Sequence, residues 1–140
     1  MIVRFFFVAV IFSFFGRSQN ELQAIEIDEL SEVPVYPGCE NIRNKRKCLQ
    51  ENIQRHIVRN FKYPKEAKKN KIQGRVFVQF IVGTGGYIDL IKTRGPDDLL
   101  EKEAQRIISL LPKFKPGVLN GEPVRVPFFM PIIFRLQKNL

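Results

Sequence analysis

Few residues in this chain could do chemistry, and their spacing narrows what that chemistry could be. Of 140 residues, one is histidine, His56, and two are cysteines, Cys39 and Cys48. A single imidazole supplies neither the ligand cluster of a zinc enzyme nor a second partner for paired acid–base work. Cys39, Cys48 and His56 fall with eight and then seven residues between them, which matches no structural zinc pattern and lacks a fourth ligand. No metal and no cofactor is expected. His56 stands three residues after Ile53, beside an apolar stripe, and reads as a boundary histidine half packed against the core. Gly83-Thr84-Gly85-Gly86 leads into a strand, whereas a phosphate cradle needs a helix N-terminus behind it. The carboxylates Asp97, Asp98, Glu101 and Glu103 read as favourable charge at the start of a helix. With no Ser-His-Asp or Cys-His arrangement to build, the chain is not expected to be an enzyme.

Charge is the next constraint, and it is unevenly placed. Residues 21–34 carry five acids and no base, while residues 35–140 carry 21 bases and nine acids. An acidic leader therefore runs into a basic body. At 44% hydrophobic and 26% charged, the composition is that of a globular domain, and 140 residues suit one such domain. The aromatic residues of Arg75-Val76-Phe77-Val78-Gln79-Phe80 alternate as core residues do, so nucleic acid is not the expected partner. The bases instead form a solvated face, or one that meets anionic envelope polymers or lipid headgroups.

The first 18 residues read as an address. Met1-Ile2-Val3-Arg4 is a short positive start, and Phe5 to Phe15 is an eleven-residue apolar run broken only by Ser13. Gly16 and Ser18 then supply small residues for a cut before Gln19, the layout of a secretory signal peptide. A membrane-spanning helix needs about 20 apolar residues, so an uncleaved short anchor is the alternative. Export makes an even pair of cysteines read as a disulfide between Cys39 and Cys48. Closing that loop of about ten residues would stabilise the fold by roughly 2.5–3 kcal/mol in the chain-entropy model.

The elements that must position these residues follow from periodicity. Leu49, Ile53, Ile57 and Phe61 recur every four residues and predict an amphipathic helix over about 46–60. Tyr63-Pro64 ends it, with Pro64 suited to the first turn of a short helix from Pro64 to Asn70. Val76, Val78, Phe80 and Val82 share one face of a strand and Phe77 and Ile81 the other, which predicts cover on both sides. The glycine turn at 83–86 makes a hairpin with a return strand from Tyr87 to Thr93. Asp98 as N-cap and Glu101 predict a capping box ahead of the stripe Leu100, Ala104, Ile107, Ile108 and Leu111. Asn120-Gly121 is a turn, and Val124 to Leu136 is a last extended stretch. Its prolines, Pro127 and Pro131, lie on one side of a strand and mark an edge. The fold class is α+β: a small three-stranded antiparallel sheet packed against two main helices.

Six of these features, in order, resemble the TonB C-terminal domain. They are Tyr63-Pro64, Ile72-Gln73-Gly74-Arg75-Val76, the glycine hairpin, Leu111-Pro112, Phe114-Lys115-Pro116-Gly117, and Asn120-Gly121-Glu122-Pro123-Val124-Arg125-Val126-Pro127. The match runs from about 48 to 137, and the cysteine pair before it looks like that of a subgroup. The resemblance implies a periplasmic domain that meets TonB-dependent outer-membrane receptors. In that family the receptor's plug-side peptide, the TonB box, adds as a strand beside the last strand of the sheet. It implies Val124, Val126, Phe128, Phe129 and Ile132 as the partner-facing segment, flanked by residues such as Lys68.

The departures from the family shape the rest. Transducers resembling TonB have a spanning N-terminal helix and a long proline-rich spacer. Here the spacer is Gln19 to Pro34, which reaches at most about 55 Å. The expected organisation is a signal peptide or short anchor over 1–18, an acidic linker over 19–34 and a TonB-like domain over 35–140. The expected function is a non-catalytic energy-transducer component of envelope transport, located in the periplasm. If uncleaved, the chain would sit in the inner membrane facing the periplasm. The alternative is a stand-alone periplasmic adaptor that binds another envelope protein through its basic face. An exposed edge could also pair with itself in a homodimer.

Overall fold

Leu49, Ile53 and Ile57 line one side of α1, Lys45–Asn60, and all three are buried. Asn44 caps it, its side chain accepting from the Lys47 amide. The computed structural model describes residues 27–137; the expected signal peptide or anchor and the leader as far as Glu26 lie outside the described residues. Pro64 then stands as the N-cap of α2, Lys65–Lys69, one position before the first turn predicted for it. β1, Gly74–Val82, turns through the glycines into β2, Ile88–Arg94. α3, Asp98–Ser109, follows, and its cap is Asp97 rather than Asp98. Asp97 takes the extended conformation a cap needs, and its carboxylate accepts from the Leu99 amide at 2.8 Å.

After α3 the chain makes a small hairpin that the sequence reading joined to the last strand. β3, Gly117–Leu119, pairs with β4, Glu122–Val124, around Asn120-Gly121, both at positive φ. β5, Val126–Phe134, then pairs antiparallel with β1 along all nine residues, from Val82↔Val126 to Gly74↔Phe134. The three-stranded order is β2-β1-β5, with β1 in the middle. This is the expected α+β fold with its antiparallel sheet under helices.

The core lies between the sheet's inner face and the helices. Val76, Val78, Phe80 and Val82 of β1 meet Leu49 and Ile53 of α1, Leu100, Ala104, Ile107 and Ile108 of α3, and Ile132 and Phe134 of β5. His56 is more deeply placed than expected, at 8% exposure. Its Nε2 donates to the Ile107 carbonyl at 2.8 Å, so Nδ1 is left to accept from the Asn60 amide at 3.3 Å. The histidine is thus a satisfied buried link between α1 and α3. Glu103 also departs from its expected role in the first turn of α3. It is buried, holds the Arg106 guanidinium and accepts from the Lys62 amide, while Arg106 reaches the Asn60 carbonyl at 2.6 Å. This network fixes the corner between α1 and α2.

The opposite face of the sheet is open at Phe77, which is 56% exposed, and covered at Ile81, at 5%, so the expected cover on both sides of β1 holds only toward its end; both long helices pack on the inner face.

Cys39 and Cys48 are disulfide-bonded, with Cα atoms 6.0 Å apart. Cys39 is fully buried, and the Asn52 amide, which donates to the Cys48 carbonyl at 2.8 Å, lies 3.4 Å from both sulfurs. The bond ties the segment around Tyr36, whose ring packs on Phe114, to the start of α1. Reducing it is expected to remove roughly 2.5–3 kcal/mol, a fall in melting temperature on the order of 10–20 °C. Thermal melts with and without reductant test this, and superimposable curves would contradict it. Residues before the disulfide are attached as well: Glu32 and Val35 bridge to Val118 and Lys115.

Candidate partner-binding edge

β5 is flanked by β1 on one side, and no described strand pairs with its other side. Which of its backbone groups face outward follows from the prolines. A strand's amide and carbonyl point the same way at each residue and alternate between neighbours. The β1–β5 ladder is unbroken through Pro127↔Ile81 and Phe77↔Pro131, although neither proline can donate. The ladder bonds therefore come from the residues of the other parity, Val126, Phe128, Met130, Ile132 and Phe134. Residues 127, 129, 131 and 133 turn their backbone away from β1. Along the free edge stand four carbonyls but only two amides, those of Phe129 and Ile133.

A groove runs between this edge and α1. Its larger part, about 810 Å³, is lined by Leu49, Gln50, Ile53 and Gln54 on one wall and by Pro127 to Met130 on the other. A second part of about 520 Å³ shares Gln54 and continues along Ile57, Val58 and Phe61 opposite Pro131 to Ile133. The walls are mainly apolar, and Val58, at 76% exposure, is an uncovered apolar residue on the rim. Arg46 and Arg55 stand at one end and Arg135 at the other. The edge of β2 differs: its ladder with β1 shifts register between Phe80 and Val82, and Lys92 and Arg94 project from it. Irregular pairing and lysine are devices that keep an edge unpaired.

The five residues expected to face a partner divide into four groups. Phe129 is 70% exposed, and its amide belongs to the outward row. Phe128 is partly buried, stacks on Phe80 at 5.2 Å and lines the groove. Val126 and Ile132 are sealed in the core with their amides turned to β1, and Val124 lies in β4, outside the edge. Lys68 is exposed on α2, which packs against α3 rather than along the groove. The reading of the residues used Pro127 and Pro131 to mark the edge but missed Ile133. The signal for it was the proline parity, which selects residues 129 and 133.

The titrating groups with displaced pKa values lie away from this edge: burial raises the phenols of Tyr36 and Tyr63, and the hydrogen bond to Glu103 raises Arg106. Among the described residues no cluster of three or more His, Cys, Asp or Glu side chains could hold a metal ion. What the edge offers is main-chain hydrogen bonding beside an apolar channel, the equipment for accepting an extended peptide.

Residues 59–136 match the family model described as the Gram-negative bacterial TonB protein C-terminal. The chain belongs to the TonB C-terminal family. The matched stretch takes in α2, α3 and every strand, and leaves the disulfide and most of α1 outside. Among solved structures, a solution structure of the Helicobacter pylori TonB C-terminal domain, residues 179–285, is 27% identical. It aligns with a TM-score of 0.53 over 71% of this chain and 90% of its own. A shorter form of that domain, residues 194–285, is 26% identical at a TM-score of 0.47, covering 64% of this chain and 96% of that one. The Pseudomonas aeruginosa TonB C-terminal domain is 27% identical at 0.46, covering 56% and 81%. No curated protein is matched. TonB C-terminal domains work in the periplasm in transport across the envelope, and no enzyme family is indicated for this chain. Among the described residues, no helix is long and apolar enough to cross a membrane.

Proposed function

We propose that this chain is a non-catalytic periplasmic component of TonB-linked transport that binds an extended peptide by strand addition along β5. The peptide is the plug-side segment of a TonB-dependent outer-membrane receptor, or an equivalent segment of another envelope protein. The observation that carries the reading is the unpaired nine-residue edge beside an apolar groove. An incoming strand would donate to the carbonyls of residues 127, 129, 131 and 133 and accept from Phe129 and Ile133. Its side chains would alternate between the groove and the open face. In this proposal residues 1–18 direct export, residues 19–34 tether, and residues 35–140 bind.

The test is a titration of the isotope-labelled protein with a synthetic peptide carrying a receptor TonB box, read by amide exchange. Phe129 and Ile133 are expected to become protected, with an affinity that changes little with salt, because main-chain bonds are not screened as exposed charge pairs are. Shifts confined to the exposed lysines and arginines, and lost at high salt, would refute strand addition. They would favour an adaptor that works through its basic face.

A further inference from the structure

The sheet face turned away from the helices carries an arrangement that strand addition leaves unexplained. Phe77, Phe129 and Ile133 project from it at 56%, 70% and 52% exposure. Beside them stand Arg75, Lys92 and Arg94, all exposed, with the Arg75 guanidinium 5.9 Å from the centre of the Phe77 ring. Lys92 and Arg94 pair in register with Gln79 and Phe77, so they share that face. β1 and β5 contain no acid, and the one acid of β2, Asp89, is held by Arg125 at 2.9 Å. A shallow depression of about 230 Å³ opens between Phe77, Phe129, Lys92 and Arg94. The face is therefore apolar at Phe77 of β1 and along β5, and cationic along β2 and at Arg75 of β1, with no free carboxylate among its strands.

We propose that this face docks on a bilayer surface carrying anionic lipid headgroups. A soluble polyanion would meet the cations but gain nothing from three exposed apolar side chains. A protein partner would cover three cations, and each would lose its water unless matched by an acid. At a lipid interface the two needs separate. Phe77, Phe129 and Ile133 enter below the headgroups, while Arg75, Lys92 and Arg94 stay hydrated and reach the phosphates. The inference does not depend on the reading of the β5 edge, and its test leaves β5 unaltered.

The chain has no tryptophan, so Phe77→Trp places a single reporter on this face of the full-length protein. Its emission is expected to shift to the blue with vesicles of phosphatidylcholine plus phosphatidylglycerol, and not with phosphatidylcholine alone. Added to the reporter, Lys92→Glu with Arg94→Glu is expected to weaken partitioning roughly tenfold or more. An unchanged circular dichroism spectrum guards against misfolding, and Arg75→Gln gives a milder second variant with a several-fold loss. Emission that stays put while the protein sediments with anionic vesicles would mean that another part attaches, and would overturn the proposal. So would a shift that survives both charge variants, or one produced by a partner protein and not by vesicles.

Discussion

Replacing Phe80 with alanine is expected to cost the fold about 3–5 kcal/mol, enough to leave much of the chain unfolded at physiological temperature. Phe80 has no exposed surface and sits at the centre of β1, the middle strand. Its ring stacks on Phe128 of β5 at 5.2 Å with planes 12° apart, and it belongs to the cluster shared by both long helices. Removing the ring loses its transfer energy and leaves a cavity whose walls belong to four different elements, so no single one can shift to close it. Denaturant unfolding of the two proteins measures the difference. A loss under 1 kcal/mol would mean that the inner face of the sheet is not the packed one. Phe77→Ala, three residues earlier on the open face, is the internal control and should be near neutral.

The second large effect separates two proline substitutions only three residues apart. Val126→Pro removes an amide that bonds to β1 and forces a ring into a fully buried site, so it should cost about 3 kcal/mol or more and compromise folding. Phe129→Pro removes an outward amide from an edge strand, a place where proline is tolerated. It should leave the melting temperature nearly unchanged while weakening peptide binding about tenfold, since one of two donors is gone and the partner's carbonyl is left unpaired. Phe129→Ala keeps the amide and separates the loss of the ring from the loss of the bond. Calorimetry with a receptor-box peptide decides the matter. Equal binding by the alanine and proline variants would dissociate the edge from recognition.

Much of this fold could be read from periodicity, because single elements state their own buried side. The four-residue repeat of Leu49, Ile53 and Ile57 and the two-residue repeat from Val76 to Val82 each located an element to within a residue or two. What periodicity cannot register is whether the other side has a cover. Phe77 and Ile81 are apolar alike, yet Phe77 is 56% exposed and Ile81 5%. Nor does it separate Glu103 from Glu101 on one helix: only the arrival of Lys62 and Arg106 from both sides distinguishes the buried carboxylate. The cap of α3 slipped by one residue because Asp97 and Asp98 are chemically equal candidates, and backbone geometry decided between them. At the candidate site, the prolines identified the edge correctly. Carrying their alternation one step further would have kept Phe129 and named Ile133 in place of Val126.

The sparse outward row of β5 also bears on what the protein avoids. A foreign strand with all its amides can make six bonds to this edge: four donated to its carbonyls and two accepted from Phe129 and Ile133. Two copies of β5 set antiparallel can make at most four, because each brings two prolines where the other needs a donor. Shifting the register until Pro131 faces Pro131 leaves the count at four, and setting Pro127 against Pro131 lowers it to two. Pro127 and Pro131 therefore act as a guard against fibres: they leave the edge open to a guest and a poor template for itself.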